Sequence, residues 1–220
     1  MNKQQHVKIF IADDHPVIAH GISCMLAKQA NMKIVGNALS GKEMFQLLPK
    51  ARPTILLLDL NMPGTDFYQN IAWVKKNSPW VKIIIFSGYY SPELVKSLIQ
   101  EGASGYVAKT SKPAELIEAI NSILSGKTFV APPANAQSDN CQNPQQNGLS
   151  DDFRKRLSLS RREHQVLELI SKGFSSLNIG KTLYISKHTV ETHRKNILRK
   201  LDFNTSTELV KFAVQQGLVQ

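Results

Sequence analysis

The chain predicts an α/β unit built on a five-stranded, doubly wound parallel sheet, followed by an all-α unit of four helices. Three observations carry that prediction. Strand-like apolar runs alternate with amphipathic helical runs five times up to about residue 126. Residues 132–152, PPANAQSDNCQNPQQNGLSDD, are rich in Pro, Asn, Gln and Ser and offer almost nothing to bury, which is the composition of a linker. From Leu157 onward the period becomes helical throughout.

The strands are expected near 7–12, 33–38, 54–58, 81–86 and 105–108, where KIFIA, KIVGNA, TILLL, VKIIIF and GYVA stand. The helices between and after them fall near 15–29, 41–48, 67–76, 92–101 and 113–126. This order, βαβαβαβαβα, folds through right-handed crossovers into a parallel sheet with helices on both faces. Ser40 with Glu43 forms a capping-box pattern, and Pro113 suits the first turn of the fifth helix. In the carboxyl-terminal unit the helices are expected at 161–172, 176–183, 187–201 and 206–216. Ser160 with Glu163 and Thr205 with Glu208 fit capping boxes, Ser186 can cap the third helix, and Gly173 and Gly217 suit helix stops. The domain limits that follow are 1–131, a flexible linker at 132–152, and 153–220. If flexible, a linker of about 20 residues spans roughly 25 Å.

At 220 residues and 42% hydrophobic content the chain can bury two cores. Its net charge of +10 and pI near 9.6 favour a polyanionic partner. From Phe153 to Gln220 there are 13 Lys and Arg against 5 Asp and Glu, so most of the excess lies in the helical unit. The two cysteines, Cys24 and Cys141, have no partner at metal-ligand spacing. No apolar segment near the amino terminus is long enough for a signal peptide and no run approaches a membrane span. We therefore expect a soluble, cytoplasmic protein without membrane association.

Three apolar runs end in charged residues: KIFIADD at Asp13 and Asp14, TILLLDL at Asp59, and SGYVAK at Lys109. In an open parallel sheet the ligand crevice lies beyond the carboxyl ends of the strands, so these side chains converge. Crowded carboxylates raise one another's pKa values unless a cation sits among them. Magnesium suits such a site, because it takes one or two carboxylates, keeps several waters and is completed by phosphate oxygens. The pocket therefore reads as a phosphoryl-transfer site, where Lys109 and the hydroxyl of Ser87 are placed to neutralise and bind phosphoryl oxygens. Taken singly, each residue has a plainer reading. An Asp at a strand end is commonly a cap or turn residue, Ser87 a turn hydroxyl and Tyr106 a half-buried aromatic, so the functional reading rests on the constellation. His15 reads as the start of the following helix rather than as a general base.

In the third carboxyl-terminal helix Val190, Ile197, Leu198 and Leu201 form an inward stripe, with His193 on the same side. Lys187, His188, Glu191, Thr192, Lys195 and Arg199 remain on the polar side. A short helix, a tight turn and a basic-faced helix is the arrangement that sets a recognition helix into the major groove.

The segments ADDHP, LLLDLNMPG, IIIFSG and GYVAKT occur in the order found in receiver domains of two-component response regulators, and residues 6–130 resemble that flavodoxin-like α/β family. The segments LSLSRREHQVLELISKGFSS and ISKHTVETHRKNILRKL make residues 157–220 resemble the LuxR-type helix-turn-helix domain of the NarL/FixJ class. The resemblance implies that Asp59 is the phosphoacceptor for a sensor histidine kinase, and that Asp13, Asp14, Asp59 and the backbone carbonyl of Asn61 hold magnesium. It further implies that Ser87 and Tyr106 are the switch pair, that Lys109 pairs with the phosphoryl group, and that Asn61 and Tyr89 tune access of water to it. In the recognition helix it implies that Lys187, His188, Glu191, Thr192 and Lys195 face bases while Arg194 and Arg199 hold phosphates. A homodimer on promoter DNA, formed on phosphorylation and able to engage RNA polymerase, is the implied assembly; the protein is not an enzyme beyond slow autodephosphorylation. In the fourth helix Leu209, Val210, Phe212 and Ala213 combine core packing with a possible dimer face.

Two departures from the family pattern stand out. SSLNIGKTL has Asn178 and Gly180 where the family commonly carries an acidic residue and Ala, which predicts a weaker scaffold helix. After the phosphorylation loop, PGTDFYQN lacks the small or Gly residue that often follows the Asp, which predicts altered loop packing there without loss of the acid site.

Competing classes predict other patterns. A DNA-binding protein whose receiver only dimerises would be indifferent to Asp59→Asn. An aspartyl-phosphate phosphatase of the haloacid dehalogenase type needs D-x-D after the first strand, where this chain has adjacent Asp13 and Asp14. A dinucleotide-binding enzyme needs a G-x-G-x-x-G turn, which is absent there.

Overall fold

The computed structural model describes residues 6–134 and 157–215, which fall into two compact units. The linker read from composition lies almost wholly outside the described residues, as do Cys141 and the stop at Gly217.

The first unit is a parallel sheet with strands β1 (Val7–Ala12), β2 (Met32–Ala38), β3 (Ile55–Leu58), β4 (Lys82–Ser87), β5 (Gly105–Ala108) and β6 (Phe129–Ala131), in spatial order β2-β1-β3-β4-β5-β6. The sheet thus has six strands rather than the five expected. The sixth is three residues that pair with β5, Gly105 to Phe129 through Val107 to Ala131. So short a run carries no alternation signal, and it becomes a strand because β5 offers an open edge.

Helices α1 (Pro16–Leu26), α2 (Gly41–Ala51), α3 (Phe67–Asn77), α4 (Pro92–Gln100) and α5 (Pro113–Leu124) connect the strands. Every residue of β3 and β5 is buried, as a central parallel strand covered on both faces requires. One side of the sheet packs Ile9, Ile11, Ile55, Leu57, Ile84 and Val107 against α1 and α5 through Ile22, Leu26, Leu116 and Ile120.

Local chemistry explains the helix ends. Ser40 Oγ accepts the Glu43 N–H at 3.2 Å, while the Glu43 carboxylate reaches past it to the Leu39 N–H at 2.8 Å. The second helix runs through Pro49 to Ala51, beyond its expected end, and closes on Arg52 in the left-handed region with its N–H on the Leu48 carbonyl. Asp66 starts α3 by accepting the Tyr68 N–H at 2.8 Å. Ahead of it, a Cβ on Gly41 would lie 1.6 Å from Thr65 Oγ1, so the loop after β3 seats directly on the start of α2. Only glycine permits that contact.

The second unit comprises α6 (Arg161–Ser171), α7 (Ser176–Leu183), α8 (Lys187–Leu201) and α9 (Ser206–Gln215). Leu159, Val166, Leu167, Ile170, Ile179, Val190, Ile197, Leu201, Leu209, Phe212 and Ala213 form its core. Both capping boxes hold. Glu163 bonds the Ser160 N–H at 2.7 Å, and Glu208 bonds the Thr205 N–H at 2.8 Å. Glu163 also accepts from Lys200 of α8 at 2.7 Å, tying the first helix to the third. Gly180 is no defect in α7. A Cβ there would lie 2.7 Å from the Ile185 carbonyl oxygen, so the missing methyl lets the turn fold tightly back on the helix.

Candidate functional site: an acidic pocket and a basic helix face

The ladder hydrogen bonds run one residue past the strand ends. The Asp13 N–H donates to the Ala38 carbonyl at 3.1 Å, the Asp59 N–H to Ala12 at 2.8 Å and the Lys109 N–H to Ser87 at 2.8 Å. Residues far apart in sequence are thereby fixed at one end of the sheet. This is the side where β1 pairs with β2 on one flank and β3 on the other, the reversal of strand order at which open α/β sheets form their crevice.

There the Lys109 ammonium lies 2.8 Å from Asp13 Oδ2 and 3.0 Å from Asp59 Oδ2, bridging the two carboxylates. Asp13 and Asp59 are 2% and 4% exposed, while Asp14 is half-buried at the rim. Burial pushes the Asp59 carboxyl up to about 6; Lys109 pulls it down, and Asp13 and then Asp14 push it further up. Burial alone would lower the Lys109 pKa, but the attraction of Asp59 and Asp13 outweighs it, so the ammonium is held above its ordinary value. Two buried carboxylates and a third beside them thus share one ammonium, a surplus of negative charge that calls for a further cation.

His15 joins this cluster. It is the residue ahead of α1, as expected, but its ring turns to the acids, with Nδ1 2.7 Å from Asp14 Oδ1 and 3.3 Å from Asp13 Oδ1. The His15 backbone N–H donates to Asp13 Oδ1 at 2.9 Å. Ligand atoms of Asp13, Asp14, His15 and Asp59 lie within 4.8 Å of one another. Three carboxylates in that radius suit a hard, oxygen-seeking ion, so the donor set fits magnesium. Adjacency in ADDHP was the signal for His15, but its ring direction depends on the backbone turn.

Ser87 is buried, and its Oγ accepts the Tyr89 N–H at 3.2 Å. Tyr106, 1% exposed, donates its hydroxyl to the Tyr89 carbonyl at 2.7 Å. Burial pushes its phenol pKa upward, so it remains a donor. The serine and the tyrosine therefore hold the two backbone polar groups of one residue, Tyr89.

In the second unit, the Ser186 hydroxyl accepts the Thr189 N–H at 3.0 Å and starts α8. Lys187, His188, Thr192, Lys195 and Arg199 are exposed along α8, with Glu191 half-buried and 3.6 Å from Lys187. Arg194 is engaged, its guanidinium donating to Ser206 Oγ at 3.0 Å. His193 is half-buried, and Val190, Ile197 and Leu201 face the core.

A charge-poised acidic pocket on a doubly wound sheet, with a basic-faced helix following a tight turn in a separate unit, defines a switchable DNA-binding regulator. Residues 9–121 match the family model described as the response regulator receiver domain, and residues 157–213 that of the bacterial regulatory proteins of the luxR family. The oxygen regulatory protein NreC of Staphylococcus epidermidis is 33% identical over 220 residues, covering 97% of this chain and 100% of the relative. Its counterpart in Staphylococcus carnosus is 34% identical over 218 residues, covering 97% of this chain and 99% of the relative. Among solved structures, RcsB from Salmonella enterica serovar Typhimurium, bound to promoter rprA in the presence of phosphomimetic BeF3-, is similar at a TM-score of 0.59. Its identity is 25%, covering 95% of this chain and 99% of that one. The chain belongs to the two-component response regulators that join a receiver to a LuxR-type DNA-binding domain, the NarL/FixJ type. Among the described residues no helix is long and apolar enough to cross a membrane.

Proposed function

We propose that Asp59 is the phosphoacceptor of this regulator and that its phosphorylation gates dimerisation and promoter binding by α8. The observation that carries this reading is the Lys109 ammonium spanning Asp13 and Asp59 in a buried pocket. A carboxylate oxygen of Asp59 attacks the phosphorus of a sensor kinase's phosphohistidine, the new O–P bond forms as the N–P bond breaks, and the histidine nitrogen leaves. Lys109, already within 3.0 Å of Asp59, is placed to bind a phosphoryl oxygen. Asp13, Asp14, Asp59 and the Asn61 carbonyl would hold magnesium, which neutralises charge on the transferred group.

The switch follows from Tyr89. When the Ser87 hydroxyl turns to the phosphoryl group it gives up the Tyr89 N–H, and Tyr106 loses a fixed acceptor at the Tyr89 carbonyl. The ring is then free to change rotamer, and the surface of α4 and β5 repacks. Slow loss of phosphate by hydrolysis, with Asn61 and Tyr89 at the entrance, resets the state.

In the second unit Lys187, His188, Glu191, Thr192 and Lys195 read base edges, and Arg199 holds a phosphate. Arg194 reaches the backbone from its bond to Ser206, or positions α9 instead. Exposed Val210 and Val214 on α9 belong to the dimer face, while Leu209, Phe212 and Ala213 pack the core. The functional limits are 1–131, 132–152 and 153–220, and the protein acts in the cytoplasm, with RNA polymerase a further partner at the promoter.

The test is magnesium-dependent labelling by a small phosphodonor, wild type against Asp59→Asn, followed by sedimentation and DNA binding of each. Label confined to wild type, with tighter dimerisation or binding, supports the gated regulator. Label without consequence supports a receiver that only dimerises, and absence of label makes the pocket structural.

A further inference from the structure

Tyr184 ends α7 in the left-handed region, at φ 55 and ψ 45, with its N–H on the Gly180 carbonyl. Among the described residues only Arg52, Tyr184 and Asp202 show positive φ without being glycine. Asp tolerates that conformation, and Arg52 gains from its guanidinium lying 5.5 Å from the Trp80 ring centroid. Tyr184 has neither compensation. Its side chain is 94% exposed, so a bulky ring holds an unfavourable backbone position and packs against almost nothing. The helix stop accounts for the left-handed backbone, since the Tyr184 and Ile185 N–H groups both bond the Gly180 carbonyl. It does not account for an exposed tyrosine there, and residues held this way cluster at functional sites.

Its place in the fold says where the ring stands. Tyr184 lies in the turn between α7 and α8, three residues ahead of Lys187, the first residue of α8. When the amino-terminal residues of a recognition helix reach base edges, the preceding turn stands over the groove wall, where the phosphates are. The charge agrees. From Leu169 to Val190 there is no acidic residue, while Lys172, Lys181 and Lys187 are present, and Lys181 is exposed on α7 one turn before Tyr184.

We propose that Tyr184 is a DNA-backbone contact, its phenolic O–H donating to a phosphate oxygen beside the groove that α8 enters. The inference rests on α8 being the groove-facing helix. Such a contact sets register without reading sequence. It also releases no counterion, because the donor is neutral.

The full chain, with Tyr184→Phe, Tyr184→Gly and Lys195→Ala variants, is titrated onto a short duplex of mixed sequence over a salt series. Tyr184→Phe is expected to weaken binding about tenfold or more, the size of one hydrogen bond to a charged group, with the slope of log K against log salt unchanged. Tyr184→Gly is expected to weaken binding at least as much, yet to melt at the same or a higher temperature, because glycine accepts the left-handed turn. Lys195→Ala lowers both affinity and slope, the latter by about 1. If both Tyr184 variants bind like wild type while Lys195→Ala is weakened, the ring lies off the DNA and the proposal is overturned in favour of a protein partner. If Lys195→Ala is also without effect, α8 is not in the groove, and the proposal falls with that reading.

Discussion

Replacing Asp59 with Asn should stabilise the receiver at neutral pH in the absence of divalent ions, by an amount that depends on pH in a definite way. Burial sets the direction. The Asp59 carboxyl is pushed from 3.8 to about 6, so between those values the folded chain binds a proton that the unfolded chain has lost. Wild-type stability therefore falls as pH rises through this window and stays reduced above it. The gap corresponds to about 3 kcal/mol at most. Asn carries no charge, so the variant does not lose this stability. Both tryptophans of the chain, Trp73 and Trp80, belong to the receiver, and urea unfolding followed by their fluorescence isolates that unit. With chelator present, the advantage of Asp59→Asn should grow by roughly 2 to 3 kcal/mol between about pH 4 and pH 7.5. Magnesium at the higher pH should then stabilise wild type and narrow the difference, because it binds only the folded pocket. A difference that stays flat with pH would show that Asp59 is not strained by its surroundings, and the charge-surplus account of the pocket would fail.

Other consequences are more local. Burial would raise the Glu163 pKa, but hydrogen bonds from Lys200 and Ser160 outweigh it and hold the carboxyl below its ordinary value. Its contribution is thus present above about pH 4.5 and is lost as pH falls through the depressed value. Glu163→Gln should cost the second unit about 2 kcal/mol near neutrality, measured by helix circular dichroism in denaturant, with the loss shrinking in acid. Gly180→Ala should destabilise α7 by about 1 kcal/mol or more, although helix propensity alone predicts a gain of about that size, because the added Cβ meets the Ile185 carbonyl at 2.7 Å. A rise in melting temperature would refute the packing argument. Tyr68→Phe removes the hydroxyl that lies 2.9 Å from Ser97 Oγ between α3 and α4. Hydrogen exchange over Pro92–Gln100 should quicken by about fivefold, in line with the loss of about 1 kcal/mol.

The sequence carried the architecture wherever the signal was periodic. Five strands, nine helices and the caps at Ser40, Ser160, Ser186 and Thr205 are visible in alternation, helical spacing and Ser or Thr at the right offset, because burial and backbone satisfaction are local demands. What escaped depends on close approach between segments distant in sequence. Phe129–Ala131 is a strand only because β5 lies beside it. Gly180 reads as a weak point by propensity and is required by the carbonyl of Ile185. The convergence of Asp13, Asp59 and Lys109 was legible because parallel topology forces strand ends together. The turn of His15 toward Asp14, the bond from Arg194 to Ser206 and the ion pair of Lys200 with Glu163 are side-chain choices that no periodicity reports.

The acidic pocket and the Tyr106 ring are linked by one short stretch of backbone. An acidic site with one ammonium for three carboxylates is poised to take up further positive charge, and a phosphoryl group on Asp59 would draw Lys109 and the Ser87 hydroxyl to itself. The Oγ that would donate to the phosphoryl group is the one that now accepts the Tyr89 N–H at 3.2 Å, so a turn of the Ser87 side chain toward Asp59 would pull that hydrogen bond apart. Tyr106 holds the carbonyl of the same Tyr89 at 2.7 Å while its ring lies 5.6 Å from that of Tyr90. A displacement of residues 87–90 therefore reaches a fully buried aromatic with no intervening side chain. Since packed interiors respond by changing rotamer rather than by stretching, so short a path would let phosphorylation of Asp59, as proposed, turn a local change of charge into a discrete change of surface.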